Sequence, residues 1–146
     1  WGSQNSLMVS LPMWRKFFKK PYQTLFDEVH RMGMDVLFHS CGNVIEIIPD
    51  LIELGADILD PIQPGPLDPR EIGKRFGGQI AFSGGIDLQH LLPQGTPQQV
   101  KDQVRRTIDC LGAPYGHAYI VAAANAITPD VPLENLQALC EASHGK

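Results

Sequence analysis

Gly33-Met34-Asp35-Val36-Leu37 and Gly55-Ala56-Asp57-Ile58-Leu59 share one pattern, Gly-x-Asp followed by a β-branched residue and Leu. In each, a glycine stops a helical segment and a short apolar run follows it directly, the reading of a buried strand. Two such junctions in close succession indicate repeated αβ units. Upstream, Trp14, Phe17, Phe18, Leu25, Phe26, Val29 and Met32 recur at helical spacing, so a helix is expected over residues 14–32, kinked or interrupted by Pro21. Residues 34–38 read as a strand, 44–54 as a helix split by Pro49, and 57–59 as the next strand.

The same alternation continues to the end of the chain. Asp68 can cap a helix that has Pro69 at its first position and Glu71 to complete a capping box. That helix ends near Phe76-Gly77, and residues 79–82 form a third strand. Thr96-Pro97-Gln98-Gln99 is a second capping box, opening a helix with the buried stripe Val100, Val104, Ile108 and Leu111 and stopped by Gly112. Residues 118–122 form a fourth strand, and Pro132 starts a last helix that carries Leu136, Leu139 and Cys140 inward. Four short buried strands separated by helices require parallel pairing with right-handed crossovers. An open doubly wound sheet and half of a closed barrel both fit, since a full (β/α)₈ barrel needs about 250 residues and this chain has 146. No Gly-x-Gly-x-x-Gly or P-loop follows any strand, so the nucleotide-binding open sheets lack support.

Composition excludes several function classes. The formal net charge is −4 and the pI near 5.6, which argues against nucleic acid or an anionic membrane as partner. The basic cluster Arg15, Lys16, Lys19 and Lys20 lies among Trp14, Phe17 and Phe18, so it reads as the wet face of an amphipathic helix. No apolar run approaches the ~20 residues that span a bilayer. No signal peptide is visible, and because the first residue is Trp1 the true start is expected to be missing. Cys41, Cys110 and Cys140 are odd in number and irregularly spaced, which fits a reducing cytoplasm better than a disulfide framework.

In either architecture the chemistry belongs just past the C-terminal ends of the strands. There the chain reads His39-Ser40-Cys41-Gly42-Asn43, Asp60-Pro61-Ile62-Gln63, Ser83-Gly84-Gly85-Ile86-Asp87 and Ala124-Asn125-Ala126. His39 and Cys41 are two apart, so in extended chain they project to one face and could converge on one zinc. On spacing alone the pair reads more readily as a small buried thiol beside a strand-end histidine, because His-x-Cys is a short and common string. Asp87 reads either as a site carboxylate or as the cap of the turn after it. Asp60 is expected to tie down its own loop before Pro61, and His90 and His117 to lie at the surface.

The ordered set His39-Ser40-Cys41-Gly42-Asn43, Leu54-Gly55-Ala56-Asp57, Gly84-Gly85-Ile86-Asp87 and Pro132-Leu133-Glu134-Asn135 resembles the uroporphyrinogen decarboxylase superfamily, and the opening Trp1-Gly2-Ser3-Gln4 is similar to the loop before the second half of its barrel. The resemblance covers nearly the whole chain. It implies a TIM (β/α)₈ barrel, with residues 1–146 as about four C-terminal βα units. Within the superfamily, His-x-Cys at this strand end resembles the zinc site of the methyltransferases that move methyl groups between corrinoid proteins and thiols; decarboxylases typically lack it. The resemblance therefore implies zinc on His39 and Cys41, a corrinoid carrier protein as methyl donor, and Gln63, Gly84 and Gly85 against substrate, with Asp87 and Asn125 as catalytic candidates.

Two departures from the family pattern are visible. The methyltransferases usually supply a cysteine as third zinc ligand where this chain has Ala124-Asn125-Ala126, and decarboxylases tend to have Gly-His-Gly there. Gln63 lies near where a carboxylate is common in both branches. The leading expectation is thus zinc-assisted methyl transfer to a thiol. A tetrapyrrole decarboxylase of haem biosynthesis and a non-catalytic remnant or binding module, which Asn125 favours, are the alternatives. A half-barrel alone is expected to lack turnover and to self-associate, through free sheet edges and an inner face exposing Val36, Phe38, Ile58, Ile80, Phe82 or Ile120 according to register.

Overall fold

The computed structural model describes residues 1–116 and 119–145. His117, expected at the surface, and Ala118, expected to open the fourth strand, lie outside the described residues. The elements run α1 (Leu11–Trp14), a π-helical turn (Arg15–Lys19), α2 (Lys20–Arg31), β1 (Leu37–His39), α3 (Ile48–Glu53), β2 (Ile58–Ile62), α4 (Pro69–Phe76), β3 (Ala81–Ile86), α5 (Leu91–Gln94), α6 (Pro97–Leu111), a 3₁₀ turn (Ala113–Tyr115), β4 (Tyr119–Ala123) and α7 (Leu133–Ser143). No helix among them is long and apolar enough to cross a membrane.

All four strands are parallel, and each pairs with the next in sequence, in the order β1-β2-β3-β4. A doubly wound sheet reverses its order at a switch point. This one never reverses, which is the winding of a barrel wall, so the fold is half of a TIM barrel. Helices cover one face. Phe38, Leu59 and Phe82 are neighbours in the β-ladder and all buried; each such side chain contributes about 2–3 kcal/mol of burial. The other face carries Leu37 and Ile120, 51% and 44% exposed. Of the six apolar residues that could have lined the open face, Val36, Phe38, Ile80 and Phe82 are buried, Ile58 is half-buried and Ile120 is exposed.

The elements depart from the sequence reading at their ends, for local reasons. The first helix begins at Leu11, and Pro21 does not break it: the widened π turn ends at Lys19, two residues before the proline whose missing N–H and bulky ring disturb an α-helical ladder. Pro49 occupies the first turn of α3 rather than splitting it, because a proline's absent N–H costs nothing there. The first strand starts at Leu37; residues 34–36 lead in, with the Val36 carbonyl accepting from the N–H groups of Asp57 and Ile58. Asp68 caps α4 by accepting from the Arg70 N–H, but Glu71 closes no capping box, because its carboxylate instead pairs with Arg75 one turn on. The Thr96–Gln99 capping box forms in full. On α7, Cys140 is exposed, and Asn135, Ala138 and Ala142 are the buried residues.

The basic cluster is not a uniformly wet face. Arg15 grips the Asp50 carboxylate through Nε and Nη2 at 2.9–3.1 Å, and Lys19 Nζ joins at 2.8 Å, while Trp14 beside them is fully buried. Asp50 is only 2% exposed. Burial pushes its carboxyl up, but the bonds from Arg15 and Lys19 outweigh burial and hold it below the usual carboxylate value. This ion cluster fastens the first helix to α3.

Candidate functional site

Three connections fix the loop after β1. The Ser40 N–H donates to the Asp60 carbonyl at 2.8 Å, carrying the β1–β2 ladder one residue beyond the strand. The Gly42 N–H donates to Gln63 Oε1 at 2.9 Å, and the Asn43 N–H to the Ser3 carbonyl at 2.7 Å. Gly2 and Gly42 cross so closely that a Cβ on Gly42 would lie 2.4 Å from the Gly2 carbonyl oxygen. The N-terminal segment therefore clamps the loop, and Cys41 is held in place from both sides.

Register then assembles the chemistry. His39 and Asp60 are direct neighbours on β1 and β2, and His39 Nδ1 lies 2.6 Å from Asp60 Oδ2. An ionised carboxylate only accepts, so Nδ1 is the protonated nitrogen and Nε2 is turned to the other side of the ring. That nitrogen lies 3.7 Å from Cys41 Sγ. Asn125, past the end of β4, donates from Nδ2 to the same sulfur at 3.4 Å, while its Oδ1 accepts from the Ala126 N–H at 2.7 Å. Four residues, from β1, β2 and the loops after β1 and β4, thus form a connected chain, Asp60–His39–Cys41–Asn125. Among the described residues no three His, Cys, Asp or Glu side chains are arranged to hold one ion.

Beside this chain a cleft of about 480 Å³ opens at the C-terminal ends of the strands, lined by Gln4, Cys41, Gln63, Asp87, Asn125 and Thr128 among others. The structure brings four expected residues, Cys41, Gln63, Asp87 and Asn125, to this one cleft. Asp87 is also a cap: its Oδ1 accepts from the N–H groups of Gln89 and His90 at 2.8 and 3.2 Å.

Gly84 and Gly85 are buried and do not line the cleft. Packing within the chain itself requires them to be small. A Cβ on Gly84 would come 2.9 Å from Pro61 Cβ, and one on Gly85 would come 2.5 Å from Thr107 Cγ2. The Tyr119 hydroxyl donates to the Gly84 carbonyl, and burial raises its pKa far above the ordinary phenol value, keeping it a donor. Cys110 and Cys140 sit on α6 and α7, and neither lines the cleft.

The sequence reading missed the link from Asp60 to His39. Their alignment across β1 and β2 was the signal, and it depends on strand register.

Comparison with known proteins agrees with this architecture. The uroporphyrinogen decarboxylase (URO-D) family model matches residues 4–145. Over 140 residues the chain is 26% identical to the methylated-thiol–coenzyme M methyltransferase of Methanosarcina mazei, covering 96% of this chain and 35% of that protein. Over 73 residues it is 37% identical to uroporphyrinogen decarboxylase of Legionella pneumophila (strain Corby), covering 49% of this chain and 19% of that protein. A solved structure of a methyltransferase from Methanosarcina mazei superposes with a TM-score of 0.76 at 23% identity, over 94% of this chain and 38% of that one. The chain therefore spans about a third of the length of the methyltransferases it matches.

Proposed function

The chain belongs to the uroporphyrinogen decarboxylase family, and from that premise we propose that it forms the C-terminal half of a barrel enzyme that moves a methyl group between a corrinoid carrier protein and a small thiol, with zinc held by His39 and Cys41. The observation that carries the reading is the 3.7 Å separation of His39 Nε2 and Cys41 Sγ. Two tetrahedral ligands of one zinc, at ~2.0–2.1 Å for nitrogen and ~2.3 Å for sulfur, stand about 3.6 Å apart, so the pair fits the ion. Bound there, zinc would supply the positive charge that lowers the pKa of an acceptor thiol.

The chain's own residues supply the setting. Asn125 donates from Nδ2 to the Cys41 sulfur and so helps to fix where it lies. Gln63 fixes the Gly42 turn that presents Cys41. Gln4, Asp87 and Thr128 give the cleft polar walls for a small substrate. With two protein ligands, fewer than the three of most catalytic zinc sites, affinity should be modest, with water or a neighbouring group completing the shell. Elemental analysis after mild dialysis tests this: zinc is expected in the wild type and lost in Cys41→Ser, and zinc retained unchanged in Cys41→Ser contradicts the assignment.

A second reading, a decarboxylase-like protein acting on a tetrapyrrole, is favoured by the 37% identity to the Legionella enzyme. It expects porphyrinogen binding without zinc. Asn125, where either branch would place a cysteine or histidine, favours a third reading, a binding module that kept the fold. The proposed setting is the cytoplasm.

The same proposal makes residues 1–146 the C-terminal half of the barrel domain, with strand ends from elsewhere needed for turnover. The isolated chain is accordingly inactive and self-associates through the free edges of β1 and β4 and the face bearing Leu37 and Ile120. Sedimentation equilibrium at low micromolar concentration is expected to show a species heavier than 16.1 kDa, and a clean monomer would count against it.

A further inference from the structure

We propose that Asp60 is the positioning residue of this site, holding the His39 ring so that Nε2 presents its lone pair toward the Cys41 sulfur; the inference rests on the zinc reading above. Two contacts, one on each ring nitrogen of His39, carry the argument. Asp60 Oδ2 is 2.6 Å from Nδ1 on one side of the ring, and Cys41 Sγ is 3.7 Å from Nε2 on the other. Register puts the carboxylate there, because His39 and Asp60 are paired positions on adjacent parallel strands and so share a face of the sheet.

His39 needs such a partner. Its side chain is 55% exposed, so packing alone does not choose a rotamer, and a neutral imidazole left in water exchanges its proton between both nitrogens. The carboxylate selects one orientation and one tautomer together, the arrangement by which outer carboxylates prepare histidines for metals. Asp60 cannot itself be a ligand of the same ion in this geometry, since it occupies the ring nitrogen facing away from Cys41. Nor does its side chain brace the backbone: among the described residues its only hydrogen-bond partner is His39. An exposed His–Asp pair with no further partner adds little to stability, so stability does not account for a carboxylate at this position.

Titration of the chain with Co²⁺ alone, followed by thiolate-to-cobalt absorption, separates the possibilities. The wild type is expected to show the band, and His39→Ala and Cys41→Ser to lose it. Asp60→Ala should bind about 10–100-fold more weakly with an unchanged urea unfolding midpoint. Asp60→Asn keeps an oxygen that accepts from Nδ1 and should recover part of the affinity. Wild-type affinity in Asp60→Ala, with the band still lost in Cys41→Ser, overturns the role of Asp60 and leaves the zinc reading standing. Absence of the band in the wild type overturns the zinc reading and this inference with it.

Discussion

Asp57 and Asp60 stand three residues apart at β2, and each bonds a histidine from the preceding αβ unit, at 2.8 Å for His30 and 2.6 Å for His39. As isolated pairs both are histidine–carboxylate contacts, through Nε2 of His30 and Nδ1 of His39. Their surroundings differ. Asp57 precedes the strand, on the side where helices end, and its Oδ2 also accepts the Val36 N–H at 2.7 Å. Its histidine lies over Gly55, close enough that a Cβ there would sit 3.1 Å from His30 Cε1. That pair ties α2, the lead-in to β1 and the start of β2 together. Among the described residues the Asp60 side chain holds no backbone group, and its histidine points at a cysteine beside a cleft. On a barrel wall, one pair of side chains can staple or can position, according to which end of the strand it occupies.

The carboxylates of this wall should therefore separate in their effect on stability. Asp50 sets the upper end, because it is buried and holds two cations. Asp50→Ala is expected to cost about 3 kcal/mol in urea unfolding, the lower end for a broken buried pair, since Arg15 is half exposed and can turn to water. Asp57→Ala leaves the Val36 N–H without its partner and should cost about 1–2 kcal/mol. Asp60→Ala should cost less than about 1 kcal/mol. Equal losses at Asp57 and Asp60 would erase the distinction between the two ends.

Acid sharpens the same contrast. Burial pushes the Asp57 carboxyl up, but the Val36 N–H and His30 outweigh it, so the net shift is downward, as it is for Asp50. A carboxyl whose folded value is depressed stabilises fully above its unfolded value, about 3.9, and loses that contribution as pH falls through the folded value. Unfolding free energy should thus decline below about pH 4, with a shallower decline in Asp50→Asn and a smaller flattening in Asp57→Asn. An acid limb unchanged by Asp50→Asn would place the sensitivity elsewhere.

Much of this wall could be read from sequence, because its elements carry local signals. Caps at Asp68 and Thr96, and stop glycines at positions 33, 55 and 112, locate helices through interactions a few residues long. His39, Cys41, Gln63, Asp87 and Asn125 could be nominated because this architecture places its chemistry past the C-terminal ends of strands. What escaped depended on contacts distant in sequence. The cluster on Asp50 reaches back from α3 to the first helix.

Asp60 was missed for a sharper reason. The repeated Gly-x-Asp motif aligns Leu37 with Leu59, whereas the ladder pairs Leu37 with Ile58. That single step puts His39 beside Asp60 instead of Pro61. In a sheet, one residue of register decides which side chains share a face, and a motif repeat does not encode it. Gly84 and Gly85 show the converse: their smallness is visible in sequence, while the close contacts with Pro61 and Thr107 arise only from packing across the sheet and onto α6.

The central claim is that His39 and Cys41 present one nitrogen and one sulfur to the same zinc ion. X-ray absorption at the zinc edge, on the zinc-loaded chain, measures this directly. A first shell with one sulfur at ~2.3 Å and nitrogen or oxygen at ~2.0–2.1 Å, the sulfur disappearing in Cys41→Ser, is the expected result. A shell of oxygen and nitrogen only in the wild type would contradict it.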